Sequence, residues 1–103
     1  MRTNNGTGPA IRPILRLYLA GDAPAARRAL ECRKRIIAAA AEPLDIEIID
    51  ILEMPADAET AGILATPTLS DETVTPPRRL IGDISNTSQV LDYFGYRKKD
   101  ATT

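Results

Sequence analysis

The sequence contains no histidine, no tryptophan and one cysteine among its 103 residues. Without histidine, the chain lacks the usual general base near neutral pH and the commonest metal ligand in proteins. Ser-His-Asp, Cys-His and histidine-based metal chemistry are therefore excluded within one chain. The single cysteine likewise excludes an internal disulfide framework and a cysteine-rich zinc site. These absences predict a protein that has neither a catalytic centre nor a metal or cofactor.

Long hydrophobic runs are also missing. No apolar run approaches the roughly 20 residues that cross a bilayer, and residues 1–10 hold no apolar signal-peptide stretch. The isolated glycines form no phosphate-binding loop, and three tyrosines with one phenylalanine make too few stacking partners for nucleic acid. The sequence therefore predicts a soluble, cytoplasmic, single-domain protein that binds neither membrane nor nucleic acid.

The formal net charge of −1 conceals three blocks of different sign. Residues 1–41 hold eight cations and two acids, residues 42–76 hold nine acids and no cation, and residues 77–103 hold five cations and three acids. Such segregation can steer a partner or hold one part of a chain on another. The alternative is that the blocks neutralise each other in the folded protein.

The apolar pattern of the first half predicts a βαβ unit with parallel strands. The nearly continuous apolar run Ile14–Leu19 is typical of a strand that is buried on both faces. Helical spacing predicts an amphipathic helix from Pro24 to about Ala41, which Pro43 ends. Alternation over residues 44–52 predicts the second strand.

The second half predicts a shorter α-β-β-α series, which completes a thioredoxin-like β-α-β-α-β-β-α order on one sheet. The first predicted part is a helix over residues 56–61, which Pro55 opens and Gly62 ends. An apolar segment over residues 63–69 and a polar connection over residues 70–77 follow. The last two parts are a strand over residues 78–82 and a helix that Ser85 or Asn86 caps. Pro67 within the apolar segment indicates an edge strand, a turn or a cis peptide bond. We expect a disordered leader over 1–10, one α/β domain over 11–96 and a frayed tail over 97–103.

Candidate chemical groups in this arrangement are few. A thioredoxin-like redox enzyme needs a thiolate at the N-terminus of its first helix, and residues 21–26 contain no cysteine. Cys32 lies more than two turns into the predicted helix, which favours a small packed residue over a redox or conjugation thiol.

The charged side chains on the predicted strands leave alternatives open. Asp45, Glu47 and Asp50 favour a solvated strand face over a magnesium or acid–base site. Arg78 and Arg79 fit a solvated strand end as well as contact with phosphate, nucleic acid or an acidic protein surface. A binding module is therefore a better prediction than an enzyme.

Four segments of the chain resemble the KaiB family of bacterial circadian clock proteins: residues 15–21, 49–52, 63–69 (ILATPTL) and 77–83 (PRRLIGD). Their order and spacing match the family over about residues 12–91. The resemblance implies a non-enzymatic regulator that binds the N-terminal ATPase ring of a KaiC-like hexamer. In complete clocks, it further implies recruitment of KaiA or displacement of a clock histidine kinase.

The same resemblance implies two interconverting folds. A thioredoxin-like monomer binds KaiC, whereas a tetrameric ground state has the order β-α-β-β-α-α-β and shares only the N-terminal half. A slow, population-limited conversion would delay partner binding. By resemblance, Pro67 is the candidate isomerisation point, and the partner contacts are Arg28, Arg78, Arg79, Gly82 and Asp83.

The C-terminal segment departs from the usual family pattern. Residues 91–96 replace an aliphatic run, and Arg97-Lys98-Lys99 replace an acidic tail. Glu47 stands where relatives that recruit KaiA tend to have a basic residue, so KaiA recruitment is not predicted. Asp92 and Gly95 are poor strand residues, so the segment around Tyr93 and Gly95 predicts a thioredoxin-like monomer rather than a ground-state tetramer or dimer.

Two other functions compete with this hypothesis. One is the KaiB-like sensor module of a clock histidine kinase, which the lack of a kinase segment after residue 96 disfavours. The other is a redox-inactive thioredoxin-like adaptor.

Overall fold

A computed structural model of the chain describes residues 14–99. Within that range the chain forms four strands and three helices: β1 (Ile14–Leu19), α1 (Pro24–Ala39), β2 (Asp45–Asp50), α2 (Pro55–Ala61), β3 (Thr68–Asp71), β4 (Arg78–Ile81) and α3 (Thr87–Phe94). This order is the predicted one. The predicted leader over residues 1–10 lies outside the described residues.

The strands form one sheet in the order β2-β1-β3-β4. β1 pairs in parallel with β2 and antiparallel with β3, and β3 pairs antiparallel with β4. The parallel βαβ half and the antiparallel ββα half therefore share one sheet, which confirms the predicted thioredoxin-like fold. β1 lies in the interior of this sheet, which explains its almost purely apolar sequence.

The hydrophobic core lies between one face of the sheet and the pair α1 and α3. Leu15, Leu17 and Leu19 of β1 are buried on this face, as are Ile46 of β2 and Leu69 of β3. Because successive strand residues point to opposite faces, Arg16 and Tyr18 lie on the other face, together with α2. Each large apolar side chain buried in this way contributes roughly 1.5–3 kcal/mol.

Local sequence signals place the helix ends. Pro24 and Pro55 occupy the first turns of α1 and α2, where a missing N–H removes no helical hydrogen bond. Asn86 caps α3, because its side-chain oxygen accepts a hydrogen bond from the Gln89 N–H. Gly95 ends α3 at a φ of +82°, in the left-handed region that glycine adopts without a steric penalty.

The third strand begins later than its apolar sequence predicts. Residues 63–67 form a connection that includes a cis Thr66–Pro67 peptide bond, and β3 takes up Ser70 and Asp71 from the predicted polar connection. Both polar side chains are buried in the sheet. Their hydrogen bonds make this burial possible, because Ser70 donates to Glu72 and Asp71 accepts from Thr73.

The residues after α3 also differ from the prediction of a frayed tail. The Arg97 carbonyl accepts a hydrogen bond from the Ala41 N–H, and the Lys99 N–H donates to the Ala39 carbonyl. Ala40 adopts an extended backbone in this bridge, so α1 ends at Ala39 rather than near Ala41. Residues 97–99 are therefore hydrogen-bonded, and residues 100–103 lie outside the described range.

Candidate functional site

An open groove of about 570 Å³ lies between α1, Pro67 and the connection from β4 to α3. Its lining contains four residues that the family resemblance singles out: Arg28, Pro67, Gly82 and Asp83. Gly82 and Pro67 lie together because the Gly82 N–H donates to the Pro67 carbonyl at 2.9 Å. This bond extends the pairing of β3 with β4 by one residue, and Arg28 approaches from α1. Gly82 has a φ of +96°, which other residues adopt only with strain.

Opposite charges face each other across this groove. The Asp83 carboxylate accepts a hydrogen bond from the Ser85 N–H at 2.9 Å. Hydrogen bonds from the Ser85 side chain and backbone lower the pKa of Asp83, and the positive charge of Arg28 adds a smaller effect. Asp83 is therefore charged at neutral pH. With Glu31 and Arg35 also in the lining, the groove offers two acids and two cations to a polar partner surface.

Cys32 also lines the groove but is almost fully buried, at 5% exposure. Its sulfur accepts a hydrogen bond at 3.3 Å from the Arg35 guanidinium, one turn further along α1. The prediction that Cys32 is a small packed residue is confirmed.

Neither arginine of β4 lines the groove with Arg28. The two also lie on opposite faces of the sheet, because successive strand residues alternate between faces. The Arg78 guanidinium lies 5.9 Å from the centroid of the Tyr93 ring and donates to the Tyr93 carbonyl. Arg79 lies on the other face and donates to the Ala61 carbonyl, at the end of α2, at 2.6 Å. Tyr93 in turn lies on α3, and its hydroxyl donates to the Arg79 carbonyl at 2.7 Å.

A polar cluster on the α2 side of the sheet is missing from the sequence-based predictions. We call it the Glu72 cluster: Arg16, Tyr18, Ser70, Glu72 and Arg79. One Glu72 oxygen accepts hydrogen bonds from the Tyr18 hydroxyl at 2.8 Å, from Ser70 at 3.1 Å and from Arg79 at 3.4 Å, and the other accepts from Arg16 at 3.1 Å. The alternation of polar and apolar residues over residues 68–70 was the available signal for a polar second face.

We expect this cluster to make the stability of the protein sensitive to alkaline pH. Burial, and then the hydrogen bond to Glu72, raises the pKa of Tyr18 above its ordinary value of 10.0. A raised folded-state pKa contributes stability that is present below pH 10 and is lost as pH rises through the folded value. We expect the free energy of unfolding to fall with pH above 10, and to fall less steeply in Tyr18→Phe. Urea unfolding over an alkaline pH series checks this, and equal slopes for the two proteins would contradict it.

Two of the three acidic residues of β2, Glu47 and Asp50, bind other groups of the protein. Glu47 forms an ion pair with Arg16 at 3.1 Å, and Asp50 accepts hydrogen bonds at 3.0 Å from the backbone N–H groups of Gly21 and Leu52. Between residues 14 and 99, no three His, Cys, Asp or Glu side chains lie close enough together to hold a metal ion. Over the same range, no helix is both long and apolar enough to span a membrane.

The fold and the groove define a thioredoxin-like domain with a charged surface beside the α1 corner, where redox members of that fold carry a thiolate. The family model described as the KaiB domain matches residues 16–95. The chain is 43% identical over 79 residues to the circadian clock oscillator protein KaiB of Nostoc punctiforme, which covers 76% of each chain. It is 41% identical over 81 residues to the circadian clock protein KaiB3 of a Synechocystis strain, which covers 78% of this chain and 79% of the relative. The chain therefore belongs to the KaiB family, as its four sequence segments predicted.

A solved structure supports the same fold. The N-terminal domain of SasA from Synechococcus elongatus superimposes with a TM-score of 0.63, over 91% of this chain and 90% of that one, at 22% sequence identity. At this identity the similarity concerns the fold alone.

Proposed function

We propose that the chain is a non-enzymatic regulatory protein of a KaiABC-type timing system in the cytoplasm. In this proposal it binds the N-terminal ATPase ring of a KaiC-like hexamer. The juxtaposition of Arg28 with Gly82 and Asp83 around one groove of the thioredoxin-like fold is the observation that carries the proposal. These three residues come from both halves of the chain, so their shared surface depends on this arrangement of the C-terminal half.

The binding form in this proposal is the thioredoxin-like monomer. A ground state with a C-terminal strand would have to lose the Asn86 cap and the left-handed end of α3 at Gly95, each of which stabilises the helix. We therefore expect the monomer to dominate the free protein. Sedimentation that gives a stable tetramer at micromolar concentration would contradict this part of the proposal.

Arg28→Ala is expected to weaken KaiC binding by roughly tenfold, because a charged residue at the centre of an interface contributes on the order of 1–2 kcal/mol. Arg27→Ala is the matched control, since Arg27 is the neighbouring exposed arginine of α1 and does not line the groove. The measurement is a titration of KaiC with each labelled variant, after incubation long enough for a slow complex to form.

Two outcomes of this titration would overturn the proposal. One is that the wild-type chain forms no complex with KaiC in any nucleotide or phosphorylation state. The other is that Arg27→Ala and Arg28→Ala weaken the complex equally, because the groove would then have no special role.

A sensor module of a clock histidine kinase is the second candidate, because the N-terminal domain of SasA shares the fold. Both candidates use a KaiC-like partner, but only the second requires a kinase domain in the same polypeptide. The size of the polypeptide that carries this chain in the native host, measured by immunoblot, separates them. KaiA recruitment is not expected, because Glu47 places an acid on β2 and already pairs with Arg16. Adding KaiA to the complex checks that expectation.

A further inference from the structure

The outer edges of the sheet present backbone groups that can pair with another chain. β2 forms one edge. The Ile51 N–H donates to the Leu19 carbonyl of β1, so the odd-numbered residues of this segment direct their backbone groups towards β1. The backbone groups of Ile46, Ile48 and Asp50 therefore point outward, but the outward carbonyl of Asp50 already accepts hydrogen bonds from the Glu53 and Met54 N–H groups.

A side chain from α1 already occupies this edge. The Arg33 Nε donates to the outward carbonyl of Ile46 at 2.7 Å. Its long side chain therefore lies across the edge, where a pairing strand would approach.

The opposite edge, β4, carries a similar contact. The Gly82 N–H donates to the Pro67 carbonyl on the β3 side, so Arg78 and Leu80 also direct their backbone groups towards β3, and Arg79 and Ile81 direct theirs outward. The Tyr93 hydroxyl of α3 donates to the outward carbonyl of Arg79 at 2.7 Å. Each edge thus has one outward carbonyl that is bound by a side chain from a helix.

The charges of the two edge strands determine which pairing between copies is favourable. β2 contains Asp45, Glu47 and Asp50 and no cation, whereas β4 contains Arg78 and Arg79 and no acid. Two β2 edges would repel each other, and so would two β4 edges. Only the pairing of β2 with the β4 of a second copy joins opposite charges, and such head-to-tail contacts generate open series or rings rather than two-fold dimers.

We propose that Arg33 and Tyr93 prevent the β2 edge from pairing with the β4 edge of a second copy of this chain. Each of these two side chains binds a backbone carbonyl that an incoming strand would need as an acceptor. The interaction surface that they cover is formed by the outer edges of β2 and β4, and its partner is another copy of the same protein.

The test removes each donor while it keeps the bulk of the side chain. Arg33→Met retains a long apolar stem, and Tyr93→Phe retains the ring beside Arg78. The matched controls are Lys34→Met, next to Arg33 on α1, and Tyr96→Phe, which removes a hydroxyl that does not bind a β4 carbonyl. Sedimentation velocity over a concentration series measures association, and far-UV circular dichroism checks that each variant keeps its fold.

We expect association to strengthen by about fivefold for each freed carbonyl, which corresponds to ~1 kcal/mol per hydrogen bond. The double variant should then form an open series or a ring of copies, about 25-fold more strongly than wild type, if the two contributions add. Added salt should weaken this association because it screens the opposite charges of the edges. The controls should sediment as wild type does.

A further substitution locates the contact. Ile48→Pro removes an outward N–H of β2 and breaks no bond to β1, so it should abolish association in the double variant. The proposal is overturned if the folded double variant sediments as wild type does, if it forms only a two-fold dimer, or if Ile48→Pro leaves its association unchanged. If an Arg33 variant fails to fold, Tyr93→Phe alone decides the question by the same criteria.

Discussion

Replacement of Leu17 by alanine is expected to lower the free energy of unfolding by about 2–5 kcal/mol. Leu17 is fully buried in β1, in register with Ile48 of β2 and Leu69 of β3. Its side chain faces α1 and α3, so truncation loses apolar contact and leaves a cavity between the sheet and both helices. A domain of this size has a total stability of roughly 5–15 kcal/mol, so the loss should be a large share of the total.

The matched control for Leu17 is Ile81→Ala. Ile81 is also an apolar strand residue but is 63% exposed, so its truncation should change stability by less than about 0.5 kcal/mol. Urea unfolding of both variants at neutral pH measures the difference. Similar losses for Leu17→Ala and Ile81→Ala would show that β1 is not the centre of the core.

Replacement of Glu72 by alanine is expected to lower the free energy of unfolding by about 2–4 kcal/mol. The carboxylate accepts hydrogen bonds from the Tyr18 hydroxyl and from Arg79, and the Tyr18 side chain is almost fully buried. Removing Glu72 leaves these donors without their shared acceptor. Because Arg79 also donates to the end of α2 at Ala61, the variant should loosen α2 as well.

Glu47→Ala is the control for this prediction, because Glu47 pairs with the same Arg16 at the same 3.1 Å distance. The Glu47 side chain is 48% exposed whereas that of Glu72 is 22% exposed, so the Glu47 pair should contribute only about 0–1 kcal/mol. Urea unfolding compares the two variants, and hydrogen exchange of the α2 amides shows whether α2 is affected. Equal losses of stability, or unchanged exchange in Glu72→Ala, would contradict the role of the cluster.

The charge blocks of the sequence acquire a physical meaning in the fold. Arg16, from the basic block, lies between Glu47 and Glu72 of the acidic block, and Arg97 of the C-terminal block pairs with Glu42. The blocks therefore neutralise each other in part. Their order in the chain could be read from the sequence, but their pairing depends on which strands are neighbours.

Local signals made much of the fold predictable. β1 is bounded as the apolar run Ile14–Leu19 indicated, and Pro55 and Gly62 bound α2 as expected. β3 was placed less accurately, because its polar residues Ser70 and Asp71 are buried through tertiary hydrogen bonds. A polar stretch predicts a loop when its partners, which are distant in the sequence, are unknown.

The candidate site was also predictable from the sequence only in part. The resemblance to the KaiB family selected Arg28, Arg78, Arg79, Gly82 and Asp83 as a group, and the chain belongs to that family. The structure places Arg28, Gly82 and Asp83 around one groove and directs Arg78 and Arg79 to opposite faces of β4. The KaiC titration tests the role of Arg28 in partner binding, and the roles of the other four residues remain predictions.

The sequence by itself determined the order of the elements, the helix boundaries set by proline, asparagine and glycine, and the family. These features depend on local periodicity, on backbone preferences and on short segments in a fixed order. Only the tertiary structure decided the partners of Glu72, the side chains that bind the sheet edges, and the division of Arg78 from Arg79. These depend on strand order and register, which bring together residues as distant as Tyr18 and Glu72.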